Sequence, residues 1–192
     1  MEEYYHQNYH QYHRATFNID PTSFLEPLAK ELKTGARILD VGCGSGRDLV
    51  WLQKRNYKVM GFERSAGLAK LAKKHAGCEV IQGDFETHDF SNYAFDAMLL
   101  CGTLVHIPHP RMLVVLRHII QGVRDGGLIL ISLKAGDGCK SADDHRVFYL
   151  WKDGDLRELM DGLGLTIIAF QRSRTKLKKR DIWLSYVLRK NQ

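Results

Sequence analysis

No apolar run in this 192-residue chain reaches the ~18 residues that a membrane-spanning helix needs, and the first residues are polar. Neither a bilayer span nor a secretory signal is therefore expected. Cysteine is scarce: Cys43, Cys78, Cys101 and Cys139 are scattered, with no C-x-x-C pair. The plain reading is four reduced thiols in a cytoplasmic protein. Internal repeats, low-complexity tracts and linker-like stretches are also missing, which leaves one domain spanning residues 1–192.

Apolar residues make up 44% and charged ones 26%, so a sizeable core is within reach and wholesale disorder is excluded. The net charge of +6 permits an anionic partner without requiring one. Asp20-Pro21 reads as the start of a helix running to about Leu32. Strands are expected at 37–41, 58–62, 79–82, 96–101 and 128–133, separated by helical segments at 48–54, 65–75 and 111–123. A helix from Asp153 to Gly162 or Gly164 precedes two strands, 166–170 and 182–188, with no helix between them. Alternating β and α segments predict a doubly wound α/β fold: a seven-stranded, mostly parallel sheet closed by an antiparallel C-terminal hairpin.

The sharpest motif is RILDVGCGSGRD, Arg37 to Asp48, where Gly42, Gly44 and Gly46 follow a strand and lead into a helix. Such a turn lets a ligand approach the backbone closely and aims amides at it. A dinucleotide turn, G-x-G-x-x-G, needs glycine at position 47, and Arg47 stands there. Glu63 ends the next strand, 21 residues beyond Gly42, where an acid can accept two ribose hydroxyls. That role serves NAD and S-adenosyl-L-methionine (SAM) alike. G-x-G-x-G preceded by Asp40 resembles motif I of the class I SAM-dependent methyltransferases, and the resemblance extends from about Tyr12 to Arg189. Within that superfamily the sequence is most similar to small bacterial-type enzymes of the type 11 or type 25 kind.

The resemblance implies a SAM-dependent methyltransferase with a Rossmann-like fold and a cofactor site drawn from Asp40, Gly42, Cys43, Gly44, Glu63, Arg64, Asp84, Phe85 and Cys101. Asp84 would face the adenine amino group, with Phe85 against the ring, and the Cys101 carbonyl would meet the methionine amine. Transfer from a sulfonium mainly requires holding donor and nucleophile in line, and orientation alone can supply about 7–11 kcal/mol. After the fourth strand the chain reads CGTLVHIPHP, with no [DN]-P-P-[YFW] motif for amino-directed DNA or protein methylation and no Pro-Cys pair for cytosine C5 chemistry. His106, five residues past the strand end, is the candidate base or acceptor orienter, or else a residue that holds its loop by a backbone hydrogen bond. Lys134 and Arg146 are candidate grips for an acidic acceptor, or else a surface lysine and a loop ion pair.

A small-molecule acceptor methylated at O, N or S is the leading expectation. RSRTKLKKR, Arg172 to Arg180, keeps an RNA-directed alternative open, although no aromatic interrupts its six cations. A non-catalytic SAM-binding protein is the other alternative. The stretch YYHQNYHQYH remains. Tyr5, Tyr9 and Tyr12 recur at i, i+4 and i+7, and His6, His10 and His13 repeat that spacing one residue on. In the methyltransferase class the segment before the first strand commonly closes over the site as a lid. Residues 1–34 then form an N-terminal lid and helix ahead of a core at 35–192. Tyr12 would contact the cofactor, and Tyr5 and Tyr9 the acceptor. No metal is expected at the histidine stripe.

Overall fold

Short apolar runs become the strands, because alternate side chains on each can be buried on opposite faces of one sheet. The computed structural model describes residues 2–175 and 181–191. In chain order the elements are α1 (Glu2–Gln7), α2 (Tyr9–Thr16), α3 (Thr22–Ala29), β1 (Arg37–Val41), α4 (Arg47–Gln53), β2 (Lys58–Glu63), α5 (Ala66–Ala76), β3 (Val80–Gln82) and β4 (Phe95–Cys101). Then come α6 (His109–Ile119), β5 (Val123–Lys134), β6 (Cys139–Ser141), β7 (Val147–Tyr149), α7 (Asp153–Asp161), β8 (Leu165–Arg174) and β9 (Ile182–Lys190).

The main sheet has seven strands in the order β3-β2-β1-β4-β5-β9-β8. Strands β3 through β5 are parallel, and β9 runs antiparallel to both β5 and β8. One face packs Ala97, Leu99, Leu128 and Leu130 against Leu25 and Leu28 of α3 and Leu52 of α4. The other packs Met98, Leu100, Ile129 and Ile131 against Met112, Leu116 and Ile119 of α6 and Leu156 and Met160 of α7. Strand order reverses between β1 and β4, so the connections after these two strands leave in opposite directions and open a crevice at their carboxyl ends.

Several boundaries differ from the sequence reading, four of them consequential. The Tyr/His stretch is two helices rather than one, broken at Asn8. Its side-chain Nδ2 donates to the Tyr4 carbonyl at 3.0 Å alongside its own backbone amide at 2.8 Å, and its φ −107°, ψ 20° depart from helical values. Helix α3 stops at Ala29 because Glu31 and Leu32 donate to carbonyls only three residues back, tightening the last turn. The 135–150 segment, read as a loop, contains the antiparallel β6–β7 pair. Strand β5 starts five residues earlier than expected, across Asp125-Gly126-Gly127, with a register irregularity opposite Phe95 and Ala97. Of the basic stretch 172–180, Arg172 and Arg174 lie on β8, and 176–180 fall outside the described residues. No helix among the described residues is long and apolar enough to cross a membrane.

Candidate cofactor and acceptor site

The crevice at the carboxyl ends of β1, β2 and β4 holds a cleft of about 900 Å3, part of it open to solvent. Its floor is the glycine turn. Gly42, Gly44 and Gly46 have φ of +74°, +57° and +88°, which L side chains rarely adopt. Space matters as much as angle. A Cβ on Gly42 would stand 2.7 Å from the Thr103 side chain, and one on Gly44 would approach the Tyr12 ring to 3.4 Å. Thr103 is itself fixed by its hydroxyl donating to the Val41 carbonyl at 2.6 Å, which ties the segment after β4 to the end of β1.

Glu63 closes β2 and is buried, 7% exposed. Its Oε2 accepts the Gly44 amide at 2.9 Å and its Oε1 accepts the Ser65 amide at 2.8 Å, so each oxygen keeps a further lone pair. Burial raises its pKa, and the amides that hold it oppose that shift. Ser65 caps α5 and donates its hydroxyl to the Tyr5 carbonyl at 3.0 Å, anchoring the N-terminal segment to the same corner. Asp40 lies below the turn, fully buried, with its Oδ2 unpartnered among the described residues. Burial pushes its carboxyl well above the usual range, and the neighbouring Asp48 adds to the effect.

The residues named from sequence divide into three groups. Tyr5, Tyr12, Gly42, Gly44, Glu63, Arg64, Phe85, Cys101 and His106 all line the cleft. Asp40, Cys43 and Asp84 sit next to it without reaching the wall. The Cys43 side chain turns into the layer beneath α4 and α5, and Asp84 pairs with Arg64 at 3.0 Å while accepting the Glu86 amide at 2.9 Å. Tyr9, Lys134 and Arg146 stand farther back. Tyr9 covers Gly67 on α5. The Lys134 ammonium donates to Asp181 at 2.8 Å and lies 3.7 Å from the centre of the Phe148 ring. Arg146 grips Asp144 with two nitrogens, at 3.0 and 2.7 Å, and reaches the Tyr5 hydroxyl at 3.2 Å.

Sequence reasoning missed Thr103, Ser65, Glu86 and Ile107 as cleft residues. Ser65 carried a signal as a helix cap; Thr103 stood in the segment directly after β4, and nothing marked its contact with Val41. The histidine stripe is split by the break at Asn8. His6 lines the cleft, His10 lies tilted against Tyr9 and His13 stacks on His75 of α5 at 4.8 Å. No cluster of three or more histidine, cysteine or acidic side chains suited to a metal occurs among the described residues.

His106 joins three elements. Its Nδ1 is 2.6 Å from the Val147 carbonyl on β7 and its Nε2 is 3.1 Å from the Tyr5 hydroxyl on α1. A carbonyl only accepts, so the ring proton resides on Nδ1 and Nε2 carries a lone pair. Burial lowers the pKa of His106, and the nearby Arg146 and Lys134 charges act in the same direction. The imidazole is therefore neutral at neutral pH. Cys101 at the end of β4 is held as a thiol by burial, which makes it a poor nucleophile.

A Gly-rich turn after β1, an acid ending β2 and an antiparallel terminal hairpin are features this chain shares with class I SAM-dependent methyltransferase domains. The family model described as a methyltransferase domain matches residues 38–127, the stretch from β1 through the start of β5. The chain is 31% identical over 124 residues to phosphoethanolamine N-methyltransferase 1 of Zea mays, a match covering 62% of this chain and 23% of that protein. It is 29% identical over 120 residues to a ubiquinone biosynthesis O-methyltransferase of Xanthomonas campestris pv. campestris, covering 59% of this chain and 49% of that one. The chain thus spans less than half the length of these curated relatives. Among solved structures, the 1,6-didemethyltoxoflavin-N1-methyltransferase of Burkholderia thailandensis superposes with a TM-score of 0.81 at 22% identity, over 100% of this chain and 87% of that one.

SAM is the cofactor of this class, and the residues present fit it. Glycines keep the space above the turn open, the Glu63 oxygens retain lone pairs for vicinal hydroxyls, and Phe85 supplies an apolar wall.

Proposed function

We propose that the chain transfers a methyl group from SAM to O, N or S of a small-molecule acceptor. When bound, SAM supplies a methyl group already activated by the sulfonium. The protein's work is then to bind, orient and exclude water. Gly42, Gly44, Glu63 and Phe85 hold the nucleoside half, and the segment from Cys101 to Ile107 forms the opposite wall, where the acceptor enters. His106, with its lone pair facing the cleft, orients an acceptor proton or takes it.

One observation carries the small-molecule reading. The Tyr5 hydroxyl meets both His106 and Arg146, so α1 and the β6–β7 ribbon close over the acceptor end of the cleft. Tyr12 closes the adjoining part, edge-on to Tyr5 at 5.3 Å between ring centres. A roof built from the chain's own side chains suits an acceptor enclosed within it better than a nucleic-acid strand laid across it.

The test is formation of S-adenosylhomocysteine by the full chain with panels of small phenols, amines and thiols. Turnover with at least one panel, unaffected by added RNA, is the expected result. Turnover only with RNA, and binding to it that collapses as salt rises, would transfer the reading to an RNA acceptor. SAM binding without turnover on any of these would leave a SAM-binding protein.

A further inference from the structure

Tyr5 lines the cleft beside His106. Its hydroxyl accepts from Arg146 Nη1 at 3.2 Å and donates to the lone pair of His106 Nε2 at 3.1 Å. The ring is met edge-on by Tyr4 and Tyr12, each 5.3 Å away between centres, so the space it fills is a slot for a flat ring. Behind His106 stands Phe148, 4.6 Å away, and the Lys134 ammonium lies 3.7 Å from the centre of that ring.

This geometry selects among nucleophiles. The group between Arg146 and His106 must accept from a guanidinium and donate to a neutral imidazole through the same atom. A hydroxyl does both, and the flat slot between the Tyr4 and Tyr12 rings favours one carried on a planar phenol or enol. An aliphatic amine is mostly ammonium near pH 7, and in that form it has no lone pair to offer Arg146. A thiol is weak in both roles. Tyr5 also sits on a six-residue helix that is separated from α2 by the break at Asn8 and tied down by the Ser65 hydroxyl on its carbonyl.

We propose that Tyr5 is an internal placeholder for the methyl acceptor, and that the acceptor is a planar molecule carrying a phenolic or enolic hydroxyl. The proposal rests on the methyl-transfer reading above. On binding, the acceptor displaces the Tyr5 ring from the slot and takes over its two hydrogen bonds. In the transfer step the acceptor's O–H proton passes to His106 Nε2 and an O–CH3 bond forms as the S–CH3 bond of the donor breaks. The electron pair of the broken bond stays on sulfur, and the imidazolium later returns its proton to water.

Binding of para-nitrophenol to the full chain, followed by its phenolate absorbance with no SAM present, tests the placeholder. An internal competitor lowers apparent affinity by the fraction of molecules it leaves open, so Tyr5→Ala is expected to bind the probe about tenfold more tightly than the parent chain. Adding His106→Ala to that variant abolishes the gain. In the parent chain, saturating para-nitrophenol raises hydrogen exchange over Glu2–Gln7, a readout that requires no substitution. Unchanged affinity in a folded Tyr5→Ala chain, or unchanged exchange over α1 at saturation, overturns the proposal. Turnover of SAM with amines but not with phenols defeats the placeholder while sparing methyl transfer. Failure of the parent chain to bind SAM at all defeats the underlying reading instead.

Discussion

Glu63 and His106 are where single side chains decide most. Glu63 is buried yet ionisable, and it holds two backbone amides while keeping lone pairs toward the cleft. A hydrogen bond to a charged group contributes about 1.5–3 kcal/mol, so Glu63→Gln is expected to weaken SAM binding by roughly ten- to a hundredfold in titration calorimetry. His106 sets the pH dependence. Its folded pKa lies below the ordinary histidine value of about 6.5, because burial and the Arg146 and Lys134 charges oppose the imidazolium. The lone pair on Nε2 is present above that pKa and lost below it. The rate with a hydroxyl acceptor should therefore hold through pH 7 and fall on the acid side, with a midpoint below about 6.5. A midpoint at or above the free histidine value would remove His106 as the proton acceptor. At this scale the sequence named both residues, because each ends or follows a strand at the carboxyl edge. It named Asp84 on the same logic, and that carboxylate pairs with the Arg64 guanidinium at 3.0 Å beside the cleft, a contact that strand-end position alone does not reveal.

Between elements, the glycine turn and the lid are the sensitive parts. Gly46 begins α4 at φ +88°, and a Cβ there would stand 2.9 Å from the Ala72 backbone of α5. Gly46→Ala meets both a strained conformation and a backbone clash, and strain of this kind costs about 1–3 kcal/mol before any separation of the helices. A fall in thermal midpoint of several degrees is the expected outcome, and an unchanged midpoint would show that α4 and α5 can part freely. The lid is tested by removing residues 1–13. The core strands do not depend on it, so the truncated chain should keep its circular dichroism and lose most of its SAM affinity. Equal affinity would reduce α1 and α2 to a surface decoration. Periodicity foresaw a tyrosine face here. It missed the break, because the Asn8 side-chain bond to the Tyr4 carbonyl is a local contact that no 3.6-residue repeat encodes. The β6–β7 ribbon was missed for a similar reason: its two strands are three residues each, and the β6 residues are all exposed, which leaves no hydrophobic alternation to read.

For the whole molecule, the order of helices and strands was legible because buried parallel strands are continuous apolar runs separated by amphipathic segments. The crevice followed from that order, since a reversal of winding between β1 and β4 opens the sheet at one place. What topology leaves undetermined is the roof. It is built by contacts between segments about 40 to 140 residues apart, Tyr5 with His106 and Arg146, and His106 with Val147. These depend on how α1 and the ribbon fold back. SAM binds in this crevice against the glycine turn and Glu63, and calorimetric titration of the full chain with SAM and, in parallel, with NAD decides the matter. Saturable one-to-one binding of SAM, weakened in Glu63→Gln and absent for NAD, is the predicted result; no heat with SAM, or equal affinity for NAD, would contradict it.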